Sequence, residues 1–109
     1  MHIEDVVTDA QYHLISEGID GWLMYDYGGA NPIFWDAVGH IANVTRPCWL
    51  WIPSKGEPKL LVSYVDHGRF VHLGISSNSF SGRNDMVIKL KCILKSARRV
   101  AMEYSPDGA

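Results

Sequence analysis

Residues 18–35, Gly-Ile-Asp-Gly-Trp-Leu-Met-Tyr-Asp-Tyr-Gly-Gly-Ala-Asn-Pro-Ile-Phe-Trp, compress a helix stop, a strand, a loop and a new helix start into eighteen positions. Gly18 supplies the left-handed residue that ends helices. Gly21 to Tyr25 is an almost unbroken apolar run between turn signals, which suits a strand covered on both faces of an α/β sheet. Asp26 to Ala30 read as a loop in which Gly28 and Gly29 can take positive φ. Asn31-Pro32 then pairs an N-cap with proline at the first helical position. The loop therefore sits at the carboxyl end of a buried strand, where α/β folds tend to place ligand-binding groups.

The remaining segments extend this α/β pattern. Residues 2–17 put Ile3, Val6, Val7, Ala10, Leu14 and Ile15 on one helical stripe, with Glu4, Asp5 and Asp9 in the first turns, where the helix dipole favours acids. After Asn31, a short helix would bury Ile33, Phe34, Ala37, Val38 and Ile41. Pro47–Ile52 and Lys59–Val65 are β-rich and joined by the polar turn Pro53-Ser54-Lys55-Gly56-Glu57-Pro58, which predicts an antiparallel hairpin. Asp66 to Gly74 fits a loop or a short helix, and residues 75–81 an edge strand. Asn84-Asp85 would cap a helix through about Ser96, with Val87, Leu90, Leu94 and Ala97 facing inward. Arg99–Tyr104 reads as a last strand, closed by Ser105-Pro106. The expected order is α-β-α-β-β-(β)-α-β in one domain over residues 1–109. The chain stops five residues past that strand, although an α/β layer normally needs another helix to cover a sheet face. Either a short terminal strand is tolerated or the chain is truncated at its C-terminus relative to a longer protein.

Composition narrows the partners. A net charge of −2 gives no reason to expect nucleic acid or a membrane surface. The charge is uneven, however: residues 1–54 balance to −6 and residues 55–109 to +4. This describes either two solvated faces or a dipolar surface that docks on a neighbour. Cys48 and Cys92 lie far apart in separate apolar runs, as free thiols of a reducing compartment do. The acidic N-terminus lacks the basic region and apolar run of a signal peptide, and no stretch is long enough to span a membrane. A cytoplasmic location is expected.

Chemistry-bearing motifs are sparse. The five histidines, His2, His13, His40, His67 and His72, form no zincin pair, and the cysteines form no Cys-x-x-Cys. His67 and His72, with Asp66 nearby, are either ligands or a solvated loop pair. There is no Gly-x-Ser-x-Gly elbow. Asp26 could act as an acid or base at the strand's end, or cap the glycine loop through an Asx turn. Gly28-Gly29 opening into a helix suggests a phosphate cradle, but Gly-x-Gly-x-x-Gly is absent. Trp49 and Trp51 alternate in one strand and so share a face, as core or as a docking surface.

Four pieces, in order, carry a resemblance: Gly18–Tyr27 with Asn31-Pro32; Thr45-Arg46-Pro47 leading into Trp49-Leu50-Trp51-Ile52-Pro53; Gly56–Val62; and Arg99–Pro106. Together the chain resembles the N-terminal domain of the creatinase, Xaa-Pro aminopeptidase and prolidase family; only residues 66–85 match poorly. The resemblance implies a ribonuclease-H-like α/β domain, a mixed sheet with helices on both faces. It also implies a noncatalytic role: in the family a following domain holds two divalent metal ions on two Asp, one His and two Glu, none of which this chain carries. The domain itself mediates subunit association and shapes access to a neighbouring active site. The implied partners are thus a second copy or the absent catalytic domain. Tyr25, Asp26, Tyr27, Gly28, Gly29 and Asn31 are the implied lip of that site, and Trp49 and Trp51 the candidate interface. The family's related Tyr-Asp-Phe-Arg-Gly-x-Asn-Pro pattern has Arg where this chain has Gly28, so a carboxylate-binding fork is missing. Two rival expectations are an interaction domain that dimerises through the Trp-rich hairpin and a small ligand-binding domain built on the Asp26–Asn31 loop.

Overall fold

Helix α1 (Ile3–Glu17) carries Glu4 and Asp5 in its first turn, and Gly18 ends it at φ +67°. The computed structural model describes residues 3–41 and 43–102. Ile3 and Leu14 are buried against the sheet, with Val6, Val7 and Ala10 packed beside them. Ile15, expected in this stripe, is 54% exposed. One residue beyond Leu14, it is turned about 100° around the helix and away from the sheet.

Strands β1 (Gly21–Asp26), β2 (Cys48–Pro53), β3 (Lys59–Ser63), β4 (Ser76–Phe80) and β5 (Val100–Met102) form one sheet in the order β4-β3-β2-β1-β5. β1 pairs antiparallel with β2, and β2 with β3, so the expected hairpin is present. β5 runs parallel to β1 and β4 parallel to β3, which makes the sheet mixed. β3 stops at Ser63 rather than Val65, because the Asp66 N–H turns back to the Ser63 carbonyl at 2.9 Å. Glu103 and Tyr104, expected in the last strand, lie outside the described residues.

The alternation of side chains splits the core in two. On one face Met24, Leu50, Ile52, Leu60 and Val62 are fully buried beneath α1 and α2 (Pro32–Val38). Phe34, Ala37 and Val38 of α2 reach this core, whereas Ile33 is 44% exposed. A seven-residue helix has one inward stripe, and Ile33 lies beside it. Residues 66–74 form two 3-10 turns, His67–Arg69 and Val71–Leu73, with Phe70 between them. Phe70 is buried in the same core, its ring stacked 6.3 Å from that of Trp35. On the other face Leu23, Trp51, Leu61 and Phe80 are buried, and α3 (Gly82–Ile93) lies over β3 and β4.

Helix α3 begins two residues before the expected Asn84-Asp85 cap. Ser81 takes the cap position with an extended backbone, and Asp85 Oδ2 accepts its N–H at 2.8 Å from inside the first turn. That hydrogen bond, with Lys89 at 3.1 Å, holds the Asp85 carboxyl below its usual range. The helix ends at Ile93 rather than Ser96, and Val87, Leu90, Leu94 and Ala97 are only half-buried.

Two side chains tie distant segments together. Asp20 Oδ2 accepts the N–H groups of Arg98 and Arg99 at 2.7 and 2.9 Å, which sets β5 beside β1. These hydrogen bonds also lower the Asp20 pKa. Gln11 Nε2 donates to the carbonyls of Pro53 and Gly56 at 2.9 and 2.8 Å and fastens α1 to the hairpin turn.

Gly21 is required by packing rather than by φ. A Cβ there would overlap the Trp51 ring, which covers the start of β1 at 6% exposure. We expect Gly21→Ala to destabilise the fold by about 2 kcal/mol through overpacking. Gly68→Ala, with nothing within 4 Å, should change stability by less than about 0.5 kcal/mol. Urea denaturation of both variants checks this; equal effects would contradict it.

Candidate functional site

At the carboxyl end of β1, successive residues point to opposite faces of the sheet. Asp26 turns inward, opposite Cys48 in the register, and is 1% exposed. Burying a carboxylate is costly unless hydrogen bonds replace its water, and here backbone amides do so. Asp26 Oδ2 accepts the Gly29 N–H at 2.9 Å and Oδ1 the Asn31 N–H at 2.7 Å. To wrap around this carboxylate, Gly28 and Gly29 adopt φ of +69° and +81°.

Asn31 completes the closure from the other side. Its Nδ2 donates to the Tyr25 carbonyl at 2.8 Å. Its Oδ1 accepts from the Ile33 and Phe34 N–H groups at 3.0 and 3.4 Å and caps α2 as expected. Strand, loop and helix thus share one hydrogen-bonded unit. Both Asp26 oxygens are engaged, so of the two sequence readings the structure supports the capping one.

Tyr25 faces the other side of the sheet, directly opposite Trp49. Their ring centroids are 4.4 Å apart, a close cross-strand aromatic pair. Burial raises the Tyr25 pKa, with smaller contributions from Tyr27, Cys48 and Asp26, while the positive charge of Arg83 opposes the shift. Sequence reasoning missed Arg83, because it reaches this corner only through the crossover helix α3. Burial likewise pushes the Cys48 thiol up strongly, with the Asp26 and Asp66 carboxylates adding to it. Cys48 is a buried free thiol, and Cys92 an exposed one.

The candidate lip and the candidate interface therefore meet in part. Tyr27, Gly28 and Gly29 are exposed, Tyr27 by 62%, beside the half-buried Tyr25–Trp49 pair. The Trp49 indole N–H is buried without a hydrogen-bond partner among the described residues. Trp51 lies on the same face, but its ring is spent on Gly21. Elsewhere, His67 Nε2 lies 3.0 Å from Ser77 Oγ, His72 is exposed, and Asp66 is buried with Arg69 Nε at 3.8 Å. Among the described residues no group of three or more His, Cys, Asp or Glu is placed to hold a metal ion. No helix among them is long and apolar enough to cross a membrane.

No protein-family model matches the sequence, and no curated protein is detectably similar to it in sequence. Solved structures are similar in fold. The creatinase/prolidase N-terminal domain of an Xaa-Pro dipeptidase from Streptococcus pyogenes superposes with a TM-score of 0.75 at 15% identity, over 92% of this chain and 76% of that one. A proline dipeptidase from Streptococcus pneumoniae gives 0.73 at 20% identity, over 89% and 72%. The prolidase of Pyrococcus horikoshii OT3 gives 0.71 at 16% identity, and there the chain covers 91% of itself but only 26% of the prolidase. The fold is that of a creatinase/prolidase N-terminal domain.

The Asp26 assignment has a measurable sign. Asp26→Ala should cost about 2 kcal/mol or more, because it strips the acceptors from two loop amides. Urea denaturation measures it. A neutral or stabilising substitution would instead identify Asp26 as a carboxylate held for function.

Proposed function

We propose that this chain is a companion domain of a proline-specific metallopeptidase-like protein, noncatalytic by itself. It serves subunit association and frames the entrance of an active site carried by a catalytic domain or a neighbouring subunit. The observation that carries this reading is the state of Asp26: the one acid in the loop has both oxygens committed to backbone amides. The loop keeps its shape but has no acid or base to offer. What it presents is aromatic: Tyr27 outside, and the Tyr25–Trp49 pair beneath. Such a surface suits contact with a substrate or subunit rather than bond cleavage.

The likeness in fold supports the same reading, since the chain spans about a quarter of the prolidase it resembles. Any metal ions would belong to that further catalytic domain. Gly28 replaces the arginine of the related family loop, so the lip offers shape and aromatic contact in place of a charged fork. Two free thiols suit a cytoplasmic setting.

The test is direct. The purified 109-residue chain, supplied with Mn²⁺ or Co²⁺, should release no product from Xaa-Pro dipeptides or longer Xaa-Pro peptides. Metal-dependent cleavage by this chain would contradict the reading.

A further inference from the structure

A concave pocket of about 310 Å³ opens where the first turns of α1, the end of the hairpin turn and the start of β4 meet. Its volume falls in the range that small ligands occupy. Because β3 and β4 run parallel to β1, their starts lie at the edge of the sheet opposite the Asp26 loop. Ile3, Val7, Pro58, Leu73 and Ile75 give the pocket apolar walls, and Glu4 and Glu57 are its ionisable groups.

The fold fixes these walls in place. Gln11 Nε2 bonds to the Pro53 and Gly56 carbonyls, so the turn that carries Glu57 is held against α1. Gly74, at φ +69°, ends the second 3-10 turn and leads Ile75 and Ser76 along the pocket. Ser76 in turn pairs with Lys59, the residue after Pro58, which joins the β4 side to the hairpin side. Leu73 to Ser76 belong to residues 66–85, which match the family pattern poorly, so that pattern is no guide to this wall.

Charge decides what the pocket can hold. No Lys, Arg or His lines it. Neither Glu4 nor Glu57 has an ion pair or a side-chain hydrogen bond among the described residues. Two carboxylates disfavour an anion. A divalent metal ion requires a shell of several oxygens, which largely apolar walls do not supply. A primary ammonium on a short alkyl stem matches both features, as lysine does when its stem lies on apolar surface and its head stays at the rim.

We propose that this pocket binds a primary alkylammonium group, with Glu4 and Glu57 taking the charge and the apolar walls the stem. The group belongs either to a free small amine or to a lysine side chain of another protein. The Asp26 loop takes no part, so this binding and the companion-domain reading stand or fall separately.

Two-dimensional ¹H–¹⁵N NMR of the 109-residue chain, titrated with n-butylammonium at neutral pH and constant ionic strength, tests the proposal. The amides of residues 3–8, Glu57 and residues 73–76 should shift saturably, with a Kd of roughly 1–10 mM for so small a ligand. Glu4→Gln and Glu57→Gln should each weaken binding by roughly threefold, and the double variant by roughly tenfold. Both side chains are exposed, and an unchanged spectrum away from the pocket shows that the variants are folded. n-Butanol, with the same stem and no charge, should bind roughly tenfold more weakly than n-butylammonium. Nα-acetyl-lysine amide separates the two sources: binding at the same amides assigns the pocket to a lysine side chain, and failure where n-butylammonium binds assigns it to a free amine. The absence of saturable shifts at these amides with n-butylammonium would overturn the proposal. So would n-butanol binding as tightly as n-butylammonium, or a double variant that binds unchanged.

Discussion

A buried carboxylate organises the corner on which this domain's shape depends. Asp26 closes the central strand β1 and points into the core, where an unpaired charge would be costly. Its two oxygens are satisfied by Gly29 and Asn31. That requirement bends the loop through two positive-φ glycines and sets Asn31 where it can cap α2. Helix α2 then delivers Phe34, Ala37 and Val38 to the same face that α1 covers. One polar residue in an apolar strand thus fixes both the exit of the strand and the entry of the next helix.

The opposite face depends on aromatic packing. Trp51 needs the absence of a side chain at Gly21, and Trp49 needs Tyr25 across the ladder. Alternation along β1 therefore separates two tasks. The Asp26 side builds the loop, and the Tyr25 side gives the loop its aromatic flank. The positive charge of Arg83, at the start of α3, acts on this flank. The corner is held on one side by hydrogen bonds and on the other by packed rings.

Local signals in the sequence were the reliable ones. Helical spacing located α1, Asn31-Pro32 located the start of α2, and the polar turn at 53–58 located the hairpin, because each depends on neighbours a few positions away. Residues at the margin of a stripe were not legible, since Ile15 and Ile33 are apolar yet turn outward. Asp26 read equally well as a base or a cap, because its role depends on where two loop amides point. The tie from Asp20 to Arg98 and Arg99 joins residues 78 and 79 positions apart and left no local trace. Phe70 was hidden for a related reason: its segment has no regular period, yet two 3-10 turns carry it into the core.

Asp26 prebuilds the loop, which needs no partner to shape it. Amide hydrogen exchange of the isolated chain, read residue by residue, tests it most directly. The Gly29 and Asn31 amides should exchange slowly, within roughly tenfold of the paired amides of β1, because they share one cooperative unit. Exchange of both at the rate of an unstructured peptide would contradict the account.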